Sequence, residues 1–283
     1  MITYIKEGIA PIINLLGVPF DSTSTYRPGS RMGPNAIREA LLNIEVYSSR
    51  LDVDLEDISI VDLGNLSQTS DVMKMSDAVE KVVSEIISNG QVPSILGGEH
   101  TLSYATFKAA PKNSALLVFD AHADLRNEFA DVKFSHTTWL KRFIEERGTS
   151  NVIHVGLRAS TRDEMKFMNK EGITTISTQT ILNTKNPEKI LIESLKQFEQ
   201  VYVSLDMDIL DPAYAPGVGN PEAAGISTSQ LLEFLYVLKG KKIGGFDIVE
   251  VAPQYDAGIS SITAAKIMVE LICLTHLGRI NTS

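Results

Sequence analysis

The chain has 283 residues, of which 43% are apolar and 22% charged, and its net charge is -9. This composition is typical of a soluble globular protein with enough apolar residues for a sizeable core. The negative charge argues against nucleic acid as the main partner, because binding to the phosphate backbone relies on lysine and arginine. It is compatible with a cationic small molecule, although net charge says little about any one pocket.

Cysteine content and the amino-terminal pattern indicate a cellular location. Cys273 is the only cysteine, so no intrachain disulfide forms and a reducing compartment is expected. Residues 1–17 lack the basic region and long apolar block of a secretory leader. No run reaches the roughly 18 apolar residues needed to span a bilayer. We therefore expect a soluble, cytoplasmic protein with no membrane partner.

Strand-like and helix-like segments alternate along the whole chain. The first expected strand, 12–18, is followed by a long polar loop and by a helix from about Pro34, and such a loop either lines a site or seals an interface. The other expected strands are 59–63, 93–96, 115–119, 151–157, 172–177, 200–205 and 242–249. Expected helices with clear limits are 71–89, 101–110, 137–147 and 258–276. This alternation predicts a single α/β domain, 1–283, with a parallel sheet, but counting does not separate a barrel from an open sheet.

Metal-capable side chains follow three of these strands. The strand 93–96 leads into GGEH, 115–119 leads into DAHAD, and 200–205 leads into the run SLDMDILDP. Carboxyl ends of parallel strands meet at one edge of a sheet, where α/β proteins place their chemistry. The expected ligands are therefore six residues at one site: His100, Asp120, His122, Asp124, Asp206 and Asp208.

The number and type of these ligands indicate two divalent cations. Clustered aspartates repel one another and lose solvation, a cost that bound cations remove. Oxygen and nitrogen donors without a thiol suit Mn, Fe, Mg or Zn. One cation with open positions rarely needs six donors, whereas two cations that share bridging carboxylates do.

With these segments in view, the chain resembles the ureohydrolase family of arginases and agmatinases. The resemblance rests on segments in the family's order, namely GVPFDSTSTYRPGSRMGPNAIREA, GGEH, DAHAD, SHTTW, SLDMDILDPAYAPGVGNPE and DIVEVAPQYD. It implies an open three-layer α/β fold and two Mn²⁺ ions bridged by a hydroxide. The implied ligands of one ion are His100, Asp120, Asp124 and Asp206, and those of the other are His122, Asp120, Asp206 and Asp208. The family also implies a trimer or hexamer.

The same resemblance implies roles for residues outside the metal cluster. His136 matches the family's proton shuttle, and an imidazole titrates near neutrality. Glu250 matches the carboxylate that pairs with the guanidinium group of the substrate and aims its carbon at the hydroxide. The implied reaction is hydrolysis of a guanidino compound to urea and an amine.

Departures from the arginase pattern bear on the substrate. The segment after Asp124 lacks the neutral residues with which arginases bind the amino-acid end of arginine. Glu128 or Asp131 could receive the distal ammonium of agmatine, which makes agmatine the first expectation. Arg126 and Lys133 could instead bind a distal carboxylate, so arginine and guanidinobutyrate stay possible substrates. Asn220 stands where arginases have a threonine that helps to hold the guanidinium group, and its amide oxygen can accept in the same way.

Other readings of these residues stay open at this stage. A two-metal phosphoesterase would also use Asp and His clusters and could bind phosphate through Arg27, Arg31 or Arg126. A non-catalytic metal-binding paralogue would lack a ligand, the shuttle or Glu250, and none is missing. Trp139, His154, His276 and Cys273 are interpreted as structural residues.

Overall fold

The computed structural model describes residues 2–4 and 12–280, so most of the amino-terminal segment that we compared with a leader lies outside the described residues. Ten strands are found in this part of the chain: β1 Ile13–Val18, β2 Tyr47–Ser48, β3 Val53–Asp54, β4 Ile60–Asn65, β5 Val92–Gly97, β6 Ala115–Phe119, β7 Val152–Val155, β8 Thr174–Ile176, β9 Gln200–Asp206 and β10 Lys242–Val249. The α-helices of the described residues are α1 Gly33–Leu41, α2 Val72–Ser88, α3 Ser103–Ala109, α4 Trp139–Arg147, α5 Arg162–Glu171, α6 Thr178–Asn183, α7 Glu188–Leu195, α8 Thr228–Tyr236 and α9 Ile259–Ile280.

Eight of the strands form one sheet in the order β4-β1-β5-β10-β9-β6-β7-β8. Every neighbouring pair runs parallel. The sheet is open, with β4 and β8 at its edges, which confirms the open parallel fold and excludes a barrel. Strands β10 and β9 lie between β5 and β6, so the four strands that precede the predicted site residues are adjacent.

Alternate residues of the strands enter hydrophobic cores on opposite faces of the sheet. In β6, Leu117 and Phe119 pack in the same core as α1, α8 and α9, whereas Leu116 and Val118 pack against α4. Near the other edge, α2 covers Leu16 and Val18. Both faces are therefore covered by helices, which explains why the strands are continuous apolar runs and confirms the three-layer arrangement.

The closing helix α9 is the most apolar helix of the core. Its length and mean hydropathy of 1.3 would suffice to cross a membrane, yet 72% of its apolar window is buried inside the fold. Cys273 lies on this helix and is fully buried, as expected of a structural thiol. The apolarity of α9 therefore reflects packing against the sheet and its neighbouring helices.

Differences between the expected and observed elements are small. The short antiparallel pair β2 and β3 was not expected, because two-residue strands carry no periodic signal. The expected helix 101–110 begins with a 3-10 turn, His100–Leu102, before α3 starts. Asp71, expected to be the first residue of its helix, instead caps α2 and accepts from the backbone N–H groups of Met73 and Lys74.

Candidate metal centre

The six predicted ligands lie together at the carboxyl edge of β5, β6 and β9. His100, Asp120 and Asp206 offer ligand atoms within 4.8 Å of one another, and so do Asp120, His122 and Asp208. Asp120 belongs to both groups. Asp124 joins the first group, since its Oδ2 lies 3.4 Å from His100 Nδ1. The structure thus places two overlapping candidate metal sites side by side, while metal coordination by each residue stays a prediction.

The same short turn shapes two of the three ligand segments. Asp120 Oδ1 accepts a hydrogen bond from the backbone N–H of His122, 2.6 Å away. Asp206 Oδ1 accepts from the backbone N–H of Asp208 at 2.8 Å. Each aspartate therefore ends a strand, folds the chain back on itself and leaves its other oxygen facing the cluster. The ligand pairs occur two residues apart for this reason.

The charges and orphaned atoms of the cluster fit divalent cations. Burial and the carboxylates of Asp208 and Asp120 hold the pKa of Asp206 well above its ordinary value. His100 Nδ1 and Asp120 Oδ2 are buried and 2.9 Å apart, yet neither makes a hydrogen bond of acceptable geometry in the described part of the chain. Buried polar atoms without partners are costly, and a shared cation would satisfy both of them.

Residues interpreted from the sequence as structural hold these ligands in place. The indole Nε1 of Trp139 donates to Asp124 Oδ2 at 2.7 Å, and its ring lies 4.6 Å from that of His100. His154 Nε2 lies 2.8 Å from the backbone carbonyl oxygen of His122. His100 Nε2 lies 2.9 Å from Ser204 Oγ. Trp139 and His154 therefore do more than pack, because their polar atoms orient the metal-ligand segments.

Replacing Trp139 with phenylalanine is expected to weaken metal binding about 10- to 100-fold. The change removes the hydrogen bond that orients Asp124 but keeps an aromatic ring beside His100. Competition with a chelating dye would measure the affinity. Phe143→Leu is the matched control, because Phe143 is also buried on α4 and packs against Phe107. Equal affinities for Trp139→Phe and the unchanged protein would show that this hydrogen bond does not position Asp124.

Glu250 and His136 form a pair beside the cluster. Glu250 follows β10 with a left-handed backbone, φ 69°, and its Oε1 accepts from the backbone N–H of His100 at 2.9 Å. His136 Nδ1 lies 3.6 Å from the same oxygen. Burial disfavours the imidazolium form, but Glu250, together with the charges of Glu99 and Asp124, outweighs burial and raises the pKa of His136 to about 9. The pair can thus present a carboxylate and a protonated imidazole together.

The polar loop after β1 reaches this pair, which favours the site-lining alternative over the interface. Thr23 Oγ1 accepts from the backbone N–H of His136 at 3.1 Å, and Thr25 Oγ1 lies 3.1 Å from His136 Nε2. Glu99 is fully buried and accepts from the backbone N–H of Thr23 at 2.7 Å. The loop is therefore anchored beneath the site, and Thr25 was not identified from the sequence.

A cavity of about 300 Å³ opens above the cluster. Its lining includes His136, Glu250, Asn220 and Arg126, as well as His122, Asp124, Asp206 and Asp208. Asn220 Nδ2 donates to Thr25 Oγ1 at 3.2 Å, and its Oδ1 is buried without a partner among the described residues. This acceptor is free for a ligand that carries N–H groups.

The acidic loop residues predicted to receive a distal ammonium are not brought to the cavity. Glu128, Asp131 and Lys133 are exposed and are not among its lining residues. Besides the predicted metal ligands and Glu250, the acidic side chains that line the cavity are Glu164 and Glu222. Glu222 lies two residues after Asn220 in a segment that carried the family resemblance, and this closeness could have identified it from the sequence. Glu164 completes the capping box of α5 with Thr161, a sequence pattern that indicates the start of a helix and not a binding site.

Comparison with known proteins agrees with this geometry. The arginase family model matches residues 12–273. An agmatinase of Bacillus subtilis strain 168 is 37% identical over 265 residues, which cover 91% of this chain and 90% of that protein. An N(1)-aminopropylagmatine ureohydrolase of Thermococcus kodakarensis is 35% identical, covering 90% of this chain and 87% of that protein.

The solved structure of the agmatine ureohydrolase of Thermoplasma volcanium has the same fold. It aligns with a TM-score of 0.91 at 33% identity, and the alignment covers 100% of this chain and 97% of that one. The family model, the relatives and the fold agree over nearly the whole sequence. The chain therefore belongs to the arginase family.

Proposed function

We propose that this protein hydrolyses agmatine to putrescine and urea with two Mn²⁺ ions per chain. The observation that carries the proposal is the position of the Glu250–His136 pair on the wall of the cavity whose floor is the His and Asp cluster. The names of the relatives support a guanidino substrate. A cytoplasmic location and a trimeric or hexameric assembly stay predictions.

The chain's own side chains would bind and orient the guanidinium group. Glu250 offers its Oε2, because Oε1 already accepts from the backbone N–H of His100. Asn220 offers its unpartnered Oδ1 from the neighbouring loop. Two acceptors on one side of a planar cation fix its orientation, so the carbon atom faces the metal cluster.

His136 supplies the proton that the leaving amine requires. Guanidinium hydrolysis needs a nucleophile and a departing neutral amine, and an amine leaves only after it is protonated. The raised pKa of His136, about 9, keeps its imidazole protonated at neutral pH. The cations, held by the two predicted ligand sets that share Asp120 and Asp206, would supply hydroxide by lowering the pKa of bound water to about 7.

The alternative of a two-metal phosphoesterase has less support in the structure than in the sequence. Arg27 stacks on Tyr26 and Tyr255, and Arg31 pairs with Asp21. Arg126 is the only lysine or arginine among the described residues that line the cavity. Apart from the predicted metal ligands, a phosphate group would meet three carboxylates, those of Glu164, Glu222 and Glu250, with one arginine to balance them, which disfavours a phosphoesterase.

The test is urea release by the purified, Mn-loaded protein with agmatine, arginine, guanidinobutyrate and guanidinopropionate, with His122→Ala as the blank. We expect agmatine to be hydrolysed faster than the acids by orders of magnitude, because a distal carboxylate would be repelled by Glu164 and Glu222 with only Arg126 to balance it. If the protein prefers arginine or a guanidino acid, guanidinium hydrolysis stays the proposed reaction but agmatine is not the substrate. No urea from any compound, with two Mn bound per chain, would refute the proposed function.

A further inference from the structure

Among the described residues that line the cavity, Glu222 is the one acidic side chain without an assigned role. Asp124, Asp206 and Asp208 belong to the metal cluster, and Glu250 pairs with His136. Glu164 accepts from the backbone N–H groups of Leu125 at 3.1 Å and Thr161 at 2.7 Å, so it stabilises the start of α5. Within the described residues, the half-buried carboxylate of Glu222 makes no hydrogen bond or ion pair.

Arg158 fixes Glu222 relative to the metal ligands. Its Nη2 donates to the backbone carbonyl of Glu222 at 2.8 Å and to that of Asp208 at 2.7 Å. The same guanidinium also donates to the carbonyls of Ile209, Leu210 and Ala223. Because Arg158 donates to backbone carbonyls of both segments, it holds the backbone of Glu222 close to the segment of the predicted metal ligands.

The short chain segment between Gly219 and Glu222 is compatible with a ligand that has a short aliphatic chain. Gly219 packs directly against Glu250, since a Cβ added there would lie 2.9 Å from Glu250 Oε2. Glu222 follows three residues later, and three residues span at most about 11 Å. A ligand whose guanidinium group binds Glu250 can therefore reach Glu222 with a few methylene groups.

We infer that Glu222 receives the distal ammonium of the substrate and makes the enzyme selective for guanidino compounds that end in a cation. This inference rests on the proposed function and gives it a structural basis for the substrate class. It replaces Glu128 and Asp131, the residues expected from the sequence. Proximity along the chain favoured those two, but they lie outside the lining of the cavity.

Arg126 is the competing distal group, because it lines the same cavity with the opposite charge. Its guanidinium lies 4.9 Å from the ring centroid of Phe129, a partly exposed residue of the following loop. Glu222 differs in being held to the metal-ligand segment by Arg158. A carboxylate-ended substrate would depend on Arg126, whereas a cation-ended one depends on Glu222.

Glu222→Gln tests the inference with two substrates, agmatine and n-butylguanidine, which is similar in shape but has no distal charge. We expect kcat/KM for agmatine to fall about 10- to 100-fold, mainly through KM, because a charge-assisted contact is lost. For n-butylguanidine we expect a change of less than about twofold. Glu222→Asp, which keeps the charge, should recover part of the loss.

The outcomes separate the inference from the proposed function. Equal losses for the two substrates, or a selective loss in Glu128→Gln instead, would overturn the role of Glu222 while agmatine hydrolysis stands. If the unchanged protein releases no urea from either compound, the proposed function fails and the inference fails with it.

Discussion

Asparagine in place of Asp120 is expected to lower urea release at least about 1,000-fold, because this one carboxylate belongs to both candidate metal sites. Among the described residues only Asp120 belongs to both groups of the structure, whereas Asp206, the other residue predicted to serve both ions, belongs to one. Asp120 is therefore the position at which one substitution most directly disturbs both sites. Its side chain is buried and 2.9 Å from His100 Nδ1, and asparagine keeps its shape. The loss of urea release would therefore reflect the missing negative charge and not altered packing.

Thermal unfolding with and without Mn²⁺ completes this test. Metal binding to the native state raises the melting temperature of the unchanged protein, and we expect Asp120→Asn to lose most of that rise. The metal-free melting temperature of each protein is the reference, so a change in stability without metal does not enter the comparison. Asp77→Asn, an exposed change on α2, is the control. Full activity and an undiminished Mn²⁺ effect in Asp120→Asn would contradict the shared site.

Asparagine in place of His136 is expected to lower kcat about 100- to 10,000-fold, the range typical of a lost general acid. KM and the stabilisation by Mn²⁺ should change little, because His136 is not one of the predicted ligands. In the unchanged protein kcat should fall as pH rises through about 9, where the imidazole loses its proton. A normal kcat with an unaltered alkaline limb in His136→Asn would exclude the imidazole as the proton donor.

The sign of the His136 effect on stability follows from the same pKa. The folded-state pKa lies above the unfolded value of about 6.5, so the imidazolium contributes stability below that value. The contribution is lost as pH rises through about 9. Glu250→Gln removes the carboxylate that raises this pKa, so its alkaline limb should begin at lower pH. That variant should also bind substrate more weakly, because Glu250 aims the guanidinium group.

The clustering of the six predicted ligands could be inferred from the sequence because each lies in a local motif at the end of an apolar strand. β5, β6 and β9 could be identified by their buried runs, and parallel strands bring their carboxyl ends to one edge. Their order in the sheet was not predictable from periodicity, because β10 and β9 lie between β5 and β6, which are consecutive in sequence. The family resemblance, and not counting, separated the open sheet from a barrel.

The part of the site around Arg158 and Glu222 was harder to predict because its contacts join segments that are distant in sequence. Arg158 bonds the carbonyls of Asp208 and Glu222, 50 and 64 residues further along the chain. Trp139 reaches Asp124 across 15 residues. Backbone carbonyls as acceptors leave no trace in side-chain identity, so the sequence indicates neither the role of Arg158 nor the position of Glu222. An acidic residue close to a motif in sequence, such as Glu128, need not line the cavity, because the lining is set by contacts between distant segments.

Urea release from agmatine by the Mn-loaded protein, measured together with bound metal, tests the central claim most directly. We predict one urea and one putrescine for each agmatine consumed, activity lost on chelation, and recovery that saturates at two Mn²⁺ per chain. Two bound Mn²⁺ without urea from agmatine or any other guanidino compound would contradict the assignment of this site to guanidinium hydrolysis.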